Sequence, residues 1–246
     1  MAQERQEERG GFGAAWSEPD RDLPFVRGLF NSTAPHYDTI NRWFSLGSGA
    51  WHRRRCLRWA GLRPGQRVVD VAVGTGLLAQ EAVALTGDRR RVIGVDLSEG
   101  MLAVARYKLG IPLVQGAAEA LPLADGVADV VTMAYALRHV GDLAAALGEF
   151  RRVLRRGGTL LLIEVGRPNR RLNRAVATAY LGRLVPLLSR WSTGAEAQRL
   201  MRYHWRTIEQ CVAPETVLAA MREAGFEQVR CKIDLDLFRS YAGRKP

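Results

Sequence analysis

The turn Gly74-Thr75-Gly76 has Asp70 inside the segment before it and Asp96 at the end of the next apolar run. Glycines between a strand and a helix let the backbone approach a ligand and accept positive φ. An acid closing the following strand can take hydrogen bonds from both hydroxyls of a ribose. Gly74, Gly76 and Ala79, with Asp96 about 20 residues on, also fit the G-x-G-x-x-A dinucleotide fingerprint, so a nicotinamide-dependent oxidoreductase is one reading. Asp70 weighs against it, because a carboxylate there suits a cationic ligand better than a pyrophosphate on a helix N-terminus. A second reactive pair is Arg138-His139, a permanent cation beside an imidazole of ordinary pKa about 6.5. Together they can stabilise a phenolate and accept a proton. The alternative is an Arg138–Asp142 ion pair, with His139 capping the next helix. Tyr37 reads either as part of a cover over the ligand or as a core aromatic.

The elements that must position these groups alternate in type. Residues 67–73 form a β-branched run that breaks at the glycine turn into a helix at 77–85. Residues 91–96 read as a second strand, followed by a helix that Ser98 caps and that ends near Lys108. Strands at 112–115, 127–134 and 159–165 follow, with a helix at 142–154 and a turn at Gly157-Gly158. Such alternation implies a parallel sheet covered on both faces. Ala213-Pro214-Glu215 opens a last helix that closes at Gly225. Strands at 228–233 and 235–241 then lie too close for a crossover, so they pair antiparallel. Residues 1–24 read as a flexible tail and 25–246 as one α/β domain, with a helical lid at 25–60 and a helical insertion at 167–210.

A chain of 246 residues, 47% hydrophobic and 25% charged, is ordinary for a globular domain. Its most apolar stretch, 181–188, contains Arg183 and Pro186 and is too short to span a membrane. Cys56, Cys211 and Cys231 are scattered, which predicts reduced thiols in a cytoplasmic protein and no metal site. The net charge is +11, yet only three of the 36 basic residues are lysine, and the arginines are spread along the chain. That bias fits codon usage as well as a binding surface. An RNA methyltransferase is the alternative it raises, but no RNA-binding extension, Asn-Pro-Pro-Tyr-type motif or catalytic cysteine motif accompanies it, and no nucleic-acid partner is expected.

Several segments together resemble the ubiquinone/menaquinone biosynthesis C-methyltransferase family. They are Ala34-Pro35-His36-Tyr37-Asp38 with Asn41, Val69-Asp70-Val71-Ala72 with the glycine turn, and Asp96 with Met101-Leu102. Ala118-Glu119-Ala120-Leu121-Pro122, Ala136-Leu137-Arg138, Gly157-Gly158 and Ala224-Gly225-Phe226 extend the resemblance from about Val26 to Phe226. It implies a Rossmann-like class I methyltransferase with a seven-stranded, mostly parallel sheet and a C-terminal antiparallel hairpin. It implies S-adenosylmethionine as cofactor and a phenol or quinol as acceptor. Tyr37, Asp70, Gly74, Gly76, Asp96, Met101 and Glu119 fall on cofactor-lining positions, and Thr75, Leu97 and Ala118 complete the candidate set. Arg138 and His139 are the candidate catalytic residues, and His36, Tyr180 and Tyr203 the candidate acceptor contacts. The sequence departs from the family at Val73, Ala117, His139 and the segment from Leu237 to Tyr241, changes that bear on the acceptor more than on the cofactor. Methyl transfer to oxygen or nitrogen, and a fold that has lost activity, stay open. The insertion, with Tyr203, His204 and Trp205, suits a greasy acceptor, and Arg170, Arg171 and Arg174 suit an anionic membrane surface. A homodimer is compatible with all of this.

Overall fold

The computed structural model describes residues 23–187 and 195–246, so all but the end of the expected tail, and Leu188 in the insertion, lie outside the described residues. Among those residues, seven strands form one sheet: β1 Val68–Val71, β2 Val92–Asp96, β3 Leu113–Gln115, β4 Ala128–Ala134, β5 Leu154–Val165, β6 Glu227–Asp234 and β7 Phe238–Arg244. Their order is β3-β2-β1-β4-β5-β7-β6. The first five run parallel, and β7 lies antiparallel between β5 and β6. The strand order reverses at β1, between β2 and β4, which opens a crevice at the carboxyl ends.

Side-chain alternation explains why both faces are covered. Val69, Val131, Met133, Leu160 and Leu162 point to one face, against α6 (Leu143–Val153) and α9 (Pro214–Glu223). Val68, Val130, Leu161 and Ile163 point to the other, against α3 (Gly49–Trp59), α4 (Leu77–Thr86) and α5 (Glu99–Leu109). Each such side chain contributes about 1.5–3 kcal/mol on burial, so the central strands are anchored from both sides. Ser98 caps α5 as the sequence implies, its Oγ accepting from Met101 N at 3.1 Å, and at the start of α6 Asp142 Oδ1 accepts from Ala145 N at 3.0 Å.

Over the carboxyl ends sits a layer of α1 (Leu23–Thr33), α2 (Tyr37–Ser45), α7 (Arg171–Ala177) and α8 (Ala195–Glu209), with a π-helical stretch, Thr178–Leu184, continuing α7. The layer has a core of its own, including Leu29, Ile40, Leu181, Leu200 and Tyr203. No helix among the described residues is long and apolar enough to cross a membrane.

Two expectations about the sheet need correction. Gly157-Gly158 is not a turn before the fifth strand. It lies inside β5, where Gly157 takes φ +73 and donates to Lys245 O at 2.8 Å beside a register shift against β4. The last strand begins at Phe238 rather than Leu235. Leu235 and Asp236 have φ +55 and +59, and Leu237 N donates to Asp234 O at 3.2 Å, which is a two-residue turn of the primed kind.

Candidate active site

Two cavities meet at the switch point. The first, of about 110 Å³, is floored by Gly74 and Asp96 and walled by Leu97, Met101, Ala118 and Glu119. Gly74 has φ +57, and no atom stands within 4 Å of where a Cβ would be, so the backbone faces open space. Asp96 fixes the floor: Oδ2 accepts from Gly74 N at 2.7 Å and Oδ1 from Ser98 N at 2.8 Å. Each oxygen retains a lone pair for a diol. Glu119 ties two loops together, its Oε1 accepting from Gly141 N at 2.8 Å.

A small adjoining space reaches Asp70, Thr75, Gly74 and Tyr37. Asp70 is buried; its Oδ1 accepts from Thr132 Oγ1 at 2.7 Å, while Oδ2 has no partner. Burial pushes its carboxyl up to about 7, and Asp96 adds to the rise. Thr75 Oγ1 donates to Asp38 Oδ1 at 2.5 Å. Gly76 serves packing: its φ is +89 and an added Cβ would overlap Leu109.

The second cavity, of about 250 Å³, is lined by Ile40, Val165, Met201, Leu235 and Phe238, with His52, Arg53, Arg138, His204 and Asp234 among its polar groups. Tyr37 and Tyr135 line both cavities and form the junction between them. Both rings are held. Tyr37 packs against Phe30 at 6.2 Å and His204 at 6.5 Å, and Tyr135 Oη meets His52 Nδ1 at 3.1 Å. Burial raises both phenol pKa values and lowers that of His52.

Arg138 lies in the wall of the second cavity, but its partner is Glu164 of β5 rather than Asp142. Both are buried, at 2% and 1% exposure. Arg138 Nε also donates to Thr207 Oγ1 at 3.0 Å and Nη2 to His204 Nδ1 at 3.3 Å. Glu164, Thr207, Tyr135 and His52 were not singled out from the sequence. Only Glu164 carries a signal there: an acid within the apolar run Ile163-Glu164-Val165 requires a buried cation.

His139 lines the first cavity, not the second. Its ring stacks on Tyr203 at 5.3 Å, with Tyr203 Oη 2.9 Å from Nδ1, and Asp142 rather than His139 caps α6. Tyr203 therefore acts through His139 and lines neither cavity. His36 is exposed and Tyr180 Oη donates to Trp43 O at 2.6 Å, so neither of these expected acceptor contacts reaches the junction.

Residues 18–234 match the model of the ubiE/COQ5 methyltransferase family. The chain belongs to that family. It is similar to ubiquinone/menaquinone biosynthesis C-methyltransferases of Shewanella sp. strain W3-18-1, at 34% identity, and strain ANA-3, at 35%, with 89% of each chain covered. Among solved structures it resembles a methyltransferase dependent on S-adenosylmethionine from Thermotoga maritima, at TM-score 0.63 and 25% identity, covering 89% of this chain and 99% of that one. The protein is an S-adenosylmethionine-dependent methyltransferase with the Rossmann-like class I fold. The residues of the first cavity fit that cofactor: Gly74 leaves a cradle that a Cβ would fill, and Asp70 keeps a buried, unpartnered carboxylate oxygen beside it. Asp96 can hold the ribose and Asp70 a cationic group, while Tyr37 closes the junction.

Proposed function

We propose that this methyltransferase alkylates a ring carbon of a phenol or quinol, with the acceptor in the 250 Å³ cavity. The observation that carries the reading is the junction: a mostly apolar cavity opens onto the cofactor cleft between Tyr37 and Tyr135. The Shewanella relatives, named as quinone-biosynthesis C-methyltransferases, support it. When bound, S-adenosylmethionine would supply an electrophilic sulfonium methyl group for an in-line nucleophile to take, with S-adenosylhomocysteine as the leaving thioether. The protein must then align a nucleophile and keep water away. Ile40, Val165, Met201 and Phe238 clamp an aromatic plane, and the polar groups at the Arg138 end meet its oxygen and favour the phenolate. Charge then reaches the adjacent carbon, which takes the methyl group, and loss of that carbon's hydrogen to water as a proton restores the aromatic ring.

Incubating the protein with isotopically labelled methyl donor and a ring-demethylated naphthoquinol tests this, with the product read by carbon NMR. A label on a ring carbon is the expected result. A methoxy signal, or label only in added RNA, defeats the reading.

A second proposal concerns the outer face. A groove of about 1,040 Å³ continues the acceptor cavity through Ser45, Ser48, Leu235 and Phe238. Leu172 and Leu235 at its edges are 75% and 83% exposed, and Arg170 lies beside them. Leu235 occupies a left-handed turn position that normally favours Asn or Gly, so packing within the fold does not account for it. We propose that this face rests on an anionic membrane. Co-sedimentation with vesicles containing anionic lipid is expected, and Leu172→Glu should weaken it about tenfold. Vesicle binding unaffected by Leu172→Glu refutes this placement.

A further inference from the structure

His204 projects from α8 into the acceptor cavity at the Arg138 end and is 6% exposed. Its hydrogen bonds fix its chemical state. Arg138 Nη2 lies 3.3 Å from Nδ1. A guanidinium has only donors and keeps its proton, so Nδ1 must offer the lone pair. A neutral imidazole carries one N–H, which therefore sits on Nε2. Burial and the Arg138 charge both hold off the second proton, keeping the ring neutral. His204 Nε2 is buried without a protein partner. A donor taken out of water and left unmatched inside a fold points to a ligand that supplies the acceptor.

The surroundings favour an anionic oxygen as that ligand. Arg138 is neutralised by Glu164, and its Nε is committed to Thr207. Arg138 thus orients His204 while His204 faces the space. The other titratable groups around the ring are Tyr37, His139 and Tyr203, with ring centres 6.5, 6.1 and 6.2 Å away. None of these is an acid of ordinary carboxylate strength, and the carboxylate that lines the same cavity, Asp234, is paired with Lys232 at 2.9 Å and Arg55 at 3.8 Å.

We propose that His204 is a catalytic residue of the acceptor site, its Nε2–H donating a hydrogen bond to the acceptor's phenolic oxygen and holding it as the phenolate. The phenol releases its proton to bulk water on binding, and the neutral imidazole keeps its own. This rests on the phenolic acceptor proposed above. It further assigns to Arg138 a positioning role, because the arginine sets the tautomer instead of meeting the oxygen alone.

The test uses 4-nitrophenol, whose phenolate absorbs in the visible, with the protein saturated with S-adenosylhomocysteine. The bound phenol should titrate about one unit below the free phenol, a tenfold shift. His204→Leu should abolish that shift, whereas His204→Gln, whose amide N–H can stand near Nε2, should retain part of it. Quinol methylation should fall in kcat roughly 100-fold for His204→Leu, with S-adenosylhomocysteine affinity unchanged. If wild type and His204→Leu give the same titration while wild type still methylates the quinol ring, the role of His204 is refuted and the C-methylation reading stands. If wild type neither binds the phenol nor methylates the quinol, both are refuted.

Discussion

Arg138→Ala is expected to lower the unfolding free energy by about 3–5 kcal/mol and to remove methyl transfer. Removing the guanidinium leaves the Glu164 carboxylate 1% exposed and without its cation, in the centre of the sheet. Thr207 and the Nδ1 of His204 lose their donor in the same step. A surface pair would matter little, since exposed ion pairs contribute about 0–1 kcal/mol. The burial of both partners decides the size of the effect. A paired replacement, Arg138→Met with Glu164→Gln, should regain most of the lost stability, because no charge is then stranded. It should not regain turnover, because nothing sets the His204 tautomer. Urea unfolding of the three proteins, followed by calorimetry with S-adenosylhomocysteine, separates the two losses. An Arg138→Ala midpoint within about 1 kcal/mol of wild type would mean that Glu164 finds other solvation, and the buried-pair account would fail.

The groups that could be read from the sequence are those set by strand ends. Asp70, Gly74, Asp96, Met101, Ala118 and Glu119 each follow or close a parallel strand, and parallel strands bring their carboxyl ends to one edge. Even there the role of Gly76 differed: periodicity and turn chemistry cannot show that Leu109 packs against it. The chain from Glu164 through Arg138 to His204 was hidden for another reason. It joins β5, the turn after β4 and α8, and the directions of side chains between layers leave no periodic trace in a single sequence. The hairpin was legible as a pairing but not in its limits. Leu235-Asp236 occupies positive φ without the Asn or Gly that normally announces such a turn. Likewise, the apolar spacing of α8 shows one face to the core but not that His204 borders a cavity while Tyr203 supports His139.

Asp70 gives the second large effect, and its sign follows from its environment. Its carboxyl is raised from 3.8 to about 7, chiefly by burial. The folded protein therefore holds a proton that the unfolded chain has already released across that interval. Stability contributed by this proton is complete below about pH 4, declines as pH rises toward 7, and is absent above it. The shift corresponds to a penalty on the order of 4 kcal/mol at pH 8. Asp70→Asn removes the charge but leaves an amide where Oδ2 now lacks a partner, which costs about 1–3 kcal/mol of that gain. The variant should thus be more stable than wild type by about 1–3 kcal/mol at pH 8, and no more stable at pH 4. Urea unfolding at the two pH values measures the difference, and equal changes at both would refute the buried-charge explanation. Binding should move the opposite way. A cationic ligand favours the ionised carboxylate, so wild-type affinity for S-adenosylmethionine should rise from about pH 5.5 to 8 as the proton leaves, whereas Asp70→Asn should bind more weakly and without that dependence. The carboxylate that weakens the empty fold is then the one that meets the cofactor's positive charge, and a variant more stable but no weaker in binding would separate the two roles.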